Sequence, residues 1–314
     1  MNPAETLPQS SAQGYVHDPR NDDVLVYVDG EFVPRNQAVV SVFDSGFVLG
    51  DGVWEGLRLV NGTLVALEEH MERLYEGASA IALDIGMTRE ALVAAIRSTL
   101  DRNGMVDGAH IRVMVTRGRK KTPNQDPRFA VGRATIVIVA EYKKPDPQAK
   151  AAGLSLFTST FRCSGPDVFD LRLNSHSRLN FIQALIQAIN AGADEALMLD
   201  PHGFVASCNS TNFFIVRGDE LWTSTGRYNF RGITRRKITE LYRERGGVVR
   251  EIDFTLAEVY SANEAFVTGT LGGVTAVTRV DGRTIATGEP GAVTRHVSDW
   301  YQEAIANVVR RSLP

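Results

Sequence analysis

Three sets of residues in this chain are of types that bind anions or move protons. Gly232-Ile233-Thr234 stands just before a helical pattern, where free N–H groups and the helix dipole attract a phosphate. Two other places share that capacity: Thr268-Gly269-Thr270, which follows a strand pattern and runs into Leu271-Gly272-Gly273, and Arg73, beside His70 on an amphipathic helix. A second concentration, Asn174-Ser175-His176-Ser177-Arg178, lies between the irregular CSGPDVFDLRL and a helix. There His176 is a candidate base and Arg178 a candidate anion ligand. The third, Arg119-Lys120-Lys121, directly follows a strand ending at Arg117. Each also has a plainer reading: a helix start capped by Gly232 or Ser177, a solvated arginine, a basic loop tip.

Hydrophobic periodicity supplies the elements that must position these residues. Residues 24–40 and 53–67 read as hairpins turning at Asp29-Gly30 and Asn61-Gly62. Helices are expected over 68–83 and 89–103, and strands over 109–117 and 133–142. KKPDPQAKAAG then breaks the pattern as a linker. The second half predicts a strand at 154–161 and a helix from Ser177 to Ala191, stopped by Gly192. Strands follow at 195–200, 203–206, 212–217, 220–223, 249–253 and 264–268, with helices to Arg245 and from Val293. The fold class is therefore α+β: a polar arm over 1–23, a small domain over 24–145, a linker at 146–152 and a larger β-rich domain over 153–314.

Composition narrows the function. The chain has 314 residues, 43% hydrophobic and 23% charged, with 34 basic against 37 acidic side chains and a net charge of −3. That balance offers no basic stripe for a nucleic acid or an anionic membrane, and no apolar run is long enough to span a bilayer. Two cysteines, Cys163 and Cys208, make neither a disulfide framework nor a metal site, so the expected compartment is the reducing cytoplasm.

Taken in order, FDSGFVLGDGVWEGLRLVNG (43–62), EEHMERLYEGASAI (68–81), VTRG (115–118), GADEALMLDPHGFV (192–205), NFFIV (212–216), GITR (232–235), TGTLGGVTAV (268–277) and GEPGAVTR (288–295) resemble the fold-type IV pyridoxal-phosphate (PLP) enzymes. That family, the class IV aminotransferases, includes branched-chain and D-amino-acid aminotransferases, R-selective amine transaminases and aminodeoxychorismate lyase. The resemblance implies a two-domain fold and a homodimer. It also implies a phosphate cup of Arg73, the N–H groups of Ile233 and Thr234, and Thr270. Arg58 and the loop from Arg119 to Pro123 would meet a small anionic substrate. Lys121 falls where D-amino-acid aminotransferases place a carboxylate-binding arginine.

Two positions depart from the family. Carrying its spacing back from Gly192 puts Asn174 where the catalytic lysine belongs, and a one-residue shift gives Leu173. No lysine occurs from 151 to 236, so PLP or pyridoxamine phosphate (PMP) cannot be held as the usual internal aldimine. Ser207 stands at the glutamate that pairs with the pyridine nitrogen, and a hydroxyl keeps that nitrogen protonated far less well. An amide neither adds to an aldehyde nor titrates near neutrality, which leaves His176 or Lys121 as base and Arg178, one turn beyond Asn174, as an anion ligand. Three readings follow: an enzyme binding PLP or PMP non-covalently, with ordinary transamination doubtful; a PLP-independent enzyme taking a phosphate or carboxylate substrate; and a non-catalytic binding or assembly homologue.

Overall fold

The computed structural model describes residues 11 and 14–312. Most of the expected N-terminal arm lies outside the described residues. From Tyr15 onward the arm is built into the fold: Tyr15 bridges Pro145, and the Asn21 side chain bonds both the N–H and the C=O of Tyr142 at 2.8 and 2.9 Å. The chain forms two compact units, one holding 17–144 with 173–178, the other 145–172 with 179–307.

The first unit is a six-stranded antiparallel sheet in the order β2-β1-β6-β5-β3-β4. Its strands are β1 (Leu25–Val28), β2 (Glu31–Pro34), β3 (Gly52–Val60), β4 (Thr63–Leu64), β5 (Ala109–Thr116) and β6 (Thr135–Tyr142). Strict alternation in AHIRVMVT and TIVIVAEY sends every second side chain into the core. Both tight turns carry the left-handed residues the sequence predicts, Asp29-Gly30 and Asn61-Gly62. A short α1 (Ser45–Leu49) is capped by Asp44, whose carboxylate accepts from Gly46 N–H at 2.8 Å. Helices α2 (Leu67–Ala80) and α3 (Arg89–Arg102) bury Met71, Leu74, Leu92 and Ile96 in one core with Val53, Leu57, Ile111 and Val113.

The expected linker carries a short helix, α4 (Pro147–Ala152). The second unit centres on a nine-stranded sheet ordered β12-β11-β10-β13-β14-β7-β8-β9, with β15 on β14. Its strands are β7 (Leu154–Thr158), β8 (Glu195–Leu199), β9 (Val205–Cys208), β10 (Asn212–Arg217), β11 (Glu220–Thr223), β12 (Val248–Glu251), β13 (Glu264–Gly269), β14 (Gly273–Val280) and β15 (Arg283–Thr284). The sequence reading missed β14. It is buried on both faces, so it lacks alternation, and it opens on glycine. Helices α5 (Leu179–Asn190), α6 (Ile233–Glu244), α7 (Leu256–Tyr260) and α8 (Ala292–Ser312) complete the chain. Gly192 ends α5 in the left-handed conformation, φ +74°, as expected. The start of α5 differs. Ser177 is not its cap, because the hydroxyl donates to Gly50 C=O at 3.2 Å and the helix begins two residues later.

Candidate active site

In the first unit the alternation of β3 and β5 puts Trp54, Arg58, His110 and Arg112 on one face of the sheet and Glu55 on the other. Glu55 is 0% exposed. Arg73 grips it through Nε and a terminal nitrogen, each at 2.7 Å, and His70 Nδ1 lies 2.7 Å from the same carboxylate. Burial alone would raise the Glu55 carboxyl; the charge and hydrogen bonds of Arg73, with those of His70, hold it below the ordinary range. Arg73, the predicted phosphate ligand, is thus oriented from behind by a buried carboxylate. The sequence reading passed over Glu55, yet a lone carboxylate among Val53, Leu57 and Leu59 was a usable signal.

The run 174–176 pairs with the start of β3 instead of opening a helix. Trp54 N–H donates to Asn174 C=O at 2.9 Å, and His176 N–H donates to Gly52 C=O at 3.0 Å. Trp54 Nε1 donates to Ser175 C=O at 3.0 Å. Gly52 is required here, since an added Cβ would meet Val115 C=O at 2.4 Å and the His176 ring at 2.6 Å. Asn174 is buried; its Nδ2 donates to Trp54 C=O at 2.6 Å and its Oδ1 accepts from Arg178. Its amide is therefore committed at both ends.

Arg112 stacks on Trp54 with its guanidinium carbon 3.2 Å from the ring centre, and the Arg178 carbon lies 5.5 Å from the same centre. Burial pushes both arginines down to about 10, with their mutual repulsion adding to the effect on Arg178. His176 is pushed down to about 4, first by burial and then by Arg112, so at neutral pH it is an uncharged, weak base. Its buried Nε2 makes no hydrogen bond among the described residues. His110, opposite Arg58 in the β3–β5 register, is pushed down to about 3 by burial and by Lys143, Arg112 and Arg58. This face holds more positive charge than the sequence pattern predicts, because periodicity marks Arg112 only as part of a strand.

The basic run divides by role. Lys120 is 3% exposed and donates from Nζ to Asp126 C=O at 2.8 Å, clamping its loop, which corrects the reading of the whole run as a solvated tip. Lys121 is exposed, with its N–H on Phe129 C=O.

In the second unit, Ile233 and Thr234 open α6, whose first N–H groups have no partner inside the helix. Gly232 before them is pressed against Asn212, whose Oδ1 would lie 2.2 Å from an added Cβ. Asn212 also donates to Phe230 C=O at 2.7 Å, so one side chain fixes both ends of this turn. Next to it in the β10–β13 register, Thr268 keeps a buried hydroxyl with no hydrogen-bond partner among the described residues. Thr270 follows at the end of β13. Ser207, on β9, donates its hydroxyl to Thr211 C=O at 2.8 Å and keeps only lone pairs for any further contact. These donors fit a phosphate group. Asn174 and Ser207 do not fit the amine and the carboxylate that a covalently held pyridoxal ring requires. Among the described residues no cluster of His, Cys, Asp and Glu is placed to hold a metal ion.

Comparison with known proteins agrees with this architecture. The amino-transferase class IV family matches residues 52–280, and the chain belongs to that family, with its α+β, fold-type IV architecture. It is 40% identical over 91% of its length to branched-chain-amino-acid aminotransferase-like protein 2 of Arabidopsis thaliana, and spans about half (51%) of that relative. The branched-chain-amino-acid aminotransferase of Pseudomonas aeruginosa is 33% identical, with 90% of this chain and 94% of that protein covered. Among solved structures, a T.th. branched-chain amino acid aminotransferase with pyridoxamine 5'-phosphate superposes with a TM-score of 0.85 at 30% identity, covering 90% and 94% of the two chains. No helix among the described residues is long and apolar enough to cross a membrane.

Proposed function

We propose that this chain is a class IV aminotransferase homologue that binds PLP or PMP without a covalent link and acts on a small amino acid, keto acid or amine. The observation that carries the reading is Asn174, an amide held between Trp54 C=O and Arg178 where the family has its lysine, in a chain that keeps phosphate-binding residue types. In this proposal Arg73, the N–H groups of Ile233 and Thr234, and Thr270 bind the phosphate. Ser207 stands at the ring nitrogen, where its hydroxyl, already donated to Thr211 C=O, offers only lone pairs. Arg58, Lys121 and Arg178 bind the anionic end of the substrate. When bound, PLP supplies an electron-withdrawing ring. The chain's own part is to orient Arg73 through Glu55 and to keep His176 unprotonated at neutral pH. His176 and Lys121 are the candidate bases. His176, at about 4, is unprotonated at neutral pH and accepts a proton only weakly. A homodimer in the cytoplasm is part of the same proposal, and two buried, unpaired cysteines accord with a reducing compartment.

Equilibrium dialysis of the purified chain against PLP tests this reading. Saturable, reversible uptake of one PLP per chain is expected; no uptake overturns it. A second reading, a PLP-independent enzyme for a phosphate or carboxylate substrate, is favoured by the commitment of the Ser207 hydroxyl and by the guanidinium pair on Trp54. Under that reading anionic metabolites raise the melting temperature and PLP does not.

A further inference from the structure

Residues 224–232 lead from the end of β11 into the turn before α6. Asn229, 2% exposed, fastens this run to β9. Its Nδ2 donates to Ala206 C=O at 2.7 Å and to Ser224 Oγ at 2.5 Å, and Ser224 Oγ donates to the same carbonyl at 2.7 Å. A terminal nitrogen of Arg235, in the first turn of α6, donates to Ser224 C=O at 2.6 Å. Because a carbonyl only accepts, the contact with Ala206 fixes which end of the Asn229 amide is nitrogen. The oxygen is left over. Asn229 Oδ1 is buried and has no hydrogen-bond partner among the described residues, a costly state for an amide that has lost its water. Gly226, at φ +80°, leaves room beside it, since an added Cβ would stand 3.7 Å from Oδ1. Arg231 borders the same space but donates its Nε to Gly226 C=O at 3.4 Å.

We propose that Asn229 Oδ1 is the acceptor that meets the ring nitrogen of bound PLP or PMP, and that it takes this nitrogen only with its hydrogen. The proposal rests on the PLP-binding reading above and assigns a residue to the role that Ser207 leaves unfilled. Asn229 is anchored on Ala206, one peptide bond from Ser207, whose hydroxyl is already donated to Thr211 C=O. Each of the two side chains therefore offers lone pairs only. A pyridine nitrogen without its proton is itself a lone pair and is repelled by both, whereas an N–H donates to either. The amide carries no charge, so it reads the hydrogen and not the full positive charge that a carboxylate would pair. The bond from Arg235 to Ser224 joins this acceptor to the first turn of α6, so one loop sets the spacing between the two ends of the ligand.

The test titrates the full chain with PLP and with 1-deaza-PLP, in which C–H replaces the ring nitrogen and the phosphate is kept. Wild type is expected to bind PLP at least about tenfold more tightly than the deaza analogue. N229A and the near-isosteric N229L, of which one folded variant with an unchanged circular dichroism spectrum suffices, are expected to bind both ligands as weakly as wild type binds 1-deaza-PLP. Equal wild-type affinities overturn the proposal, since Asn229 Oδ1 then meets a trapped water and the ring nitrogen goes unread. A preference for PLP that persists in the variants overturns the assignment to Asn229. Loss of both ligands to the same degree, with the preference intact, gives Asn229 a purely structural part in the loop and overturns it too. A wild type that binds neither ligand overturns the PLP-binding reading itself, and this inference with it.

Discussion

Replacing Glu55 with Gln removes the one carboxylate that Arg73 and His70 share. Both oxygens of Glu55 accept at 2.7 Å, and the side chain is fully buried. Breaking a buried ion pair from one side costs about 3–5 kcal/mol, because the partner charge is left uncompensated. Arg73 keeps 16% of its side chain exposed, so water recovers part of that loss and the lower figure, about 3 kcal/mol, is expected. At about 2–4 °C per kcal/mol for a domain of this size, the melting temperature falls by roughly 6–12 °C. The pH dependence gives an independent check. The folded-state pKa of Glu55 lies below its unfolded value of about 4.3. Its contribution is therefore complete above that value and is lost as pH falls through the folded pKa. Thermal melts followed by near-ultraviolet circular dichroism between pH 7 and 3 should show the wild type losing stability at the acid end more steeply than E55Q. A loss under about 1 kcal/mol, or equal acid slopes for the two proteins, would refute the assignment of Glu55 as the charged anchor of Arg73.

Other consequences are as specific. G232A must displace Asn212 Oδ1, which lies 2.2 Å from the new carbon; fluorescence titration should show PLP affinity at least about tenfold weaker, equivalent to about 1.4 kcal/mol. Removing the Lys120 amine with K120A deletes a buried charged hydrogen bond to Asp126 C=O, worth about 1.5–3 kcal/mol. Limited proteolysis should then cut the 121–130 loop sooner than in wild type. H176Q tests the depressed histidine. Its folded pKa, about 4, lies below the unfolded value, so stability complete above about pH 6.5 is lost as pH falls toward 4. The variant should melt with a flatter profile across that window.

How far the sequence spoke depended on what each signal required. β5, β6 and the two tight turns of the first unit were legible because alternation and Asn-Gly or Asp-Gly chemistry act locally. β14 was not, since a strand buried on both faces shows no period. The run 174–178 was recognised as polar and chemically odd, but its pairing with β3 is a contact between residues about 120 positions apart, beyond any local pattern. Arg112 and Trp54 were hidden in the same way. Alternation puts them on the outward face, while their stacking depends on the register of β3 with β5. Glu55 was readable in principle, as a carboxylate at a core position of a strand whose partner helix carries His70 and Arg73. Asn174 and Ser207 are the reverse case: the family resemblance singles them out, and the structure adds that both side chains are tied into the fold.

The central claim, a family member that cannot hold its cofactor covalently, is tested most directly by intact mass spectrometry. The chain is incubated with one equivalent of PLP, treated with borohydride and denatured. The expected result is the unmodified mass, with the cofactor recovered unattached in its reduced form, pyridoxine 5'-phosphate. A stoichiometric gain of one phosphopyridoxyl group, mapped to a single lysine, would contradict the claim and show that another amine has taken the place that Asn174 left.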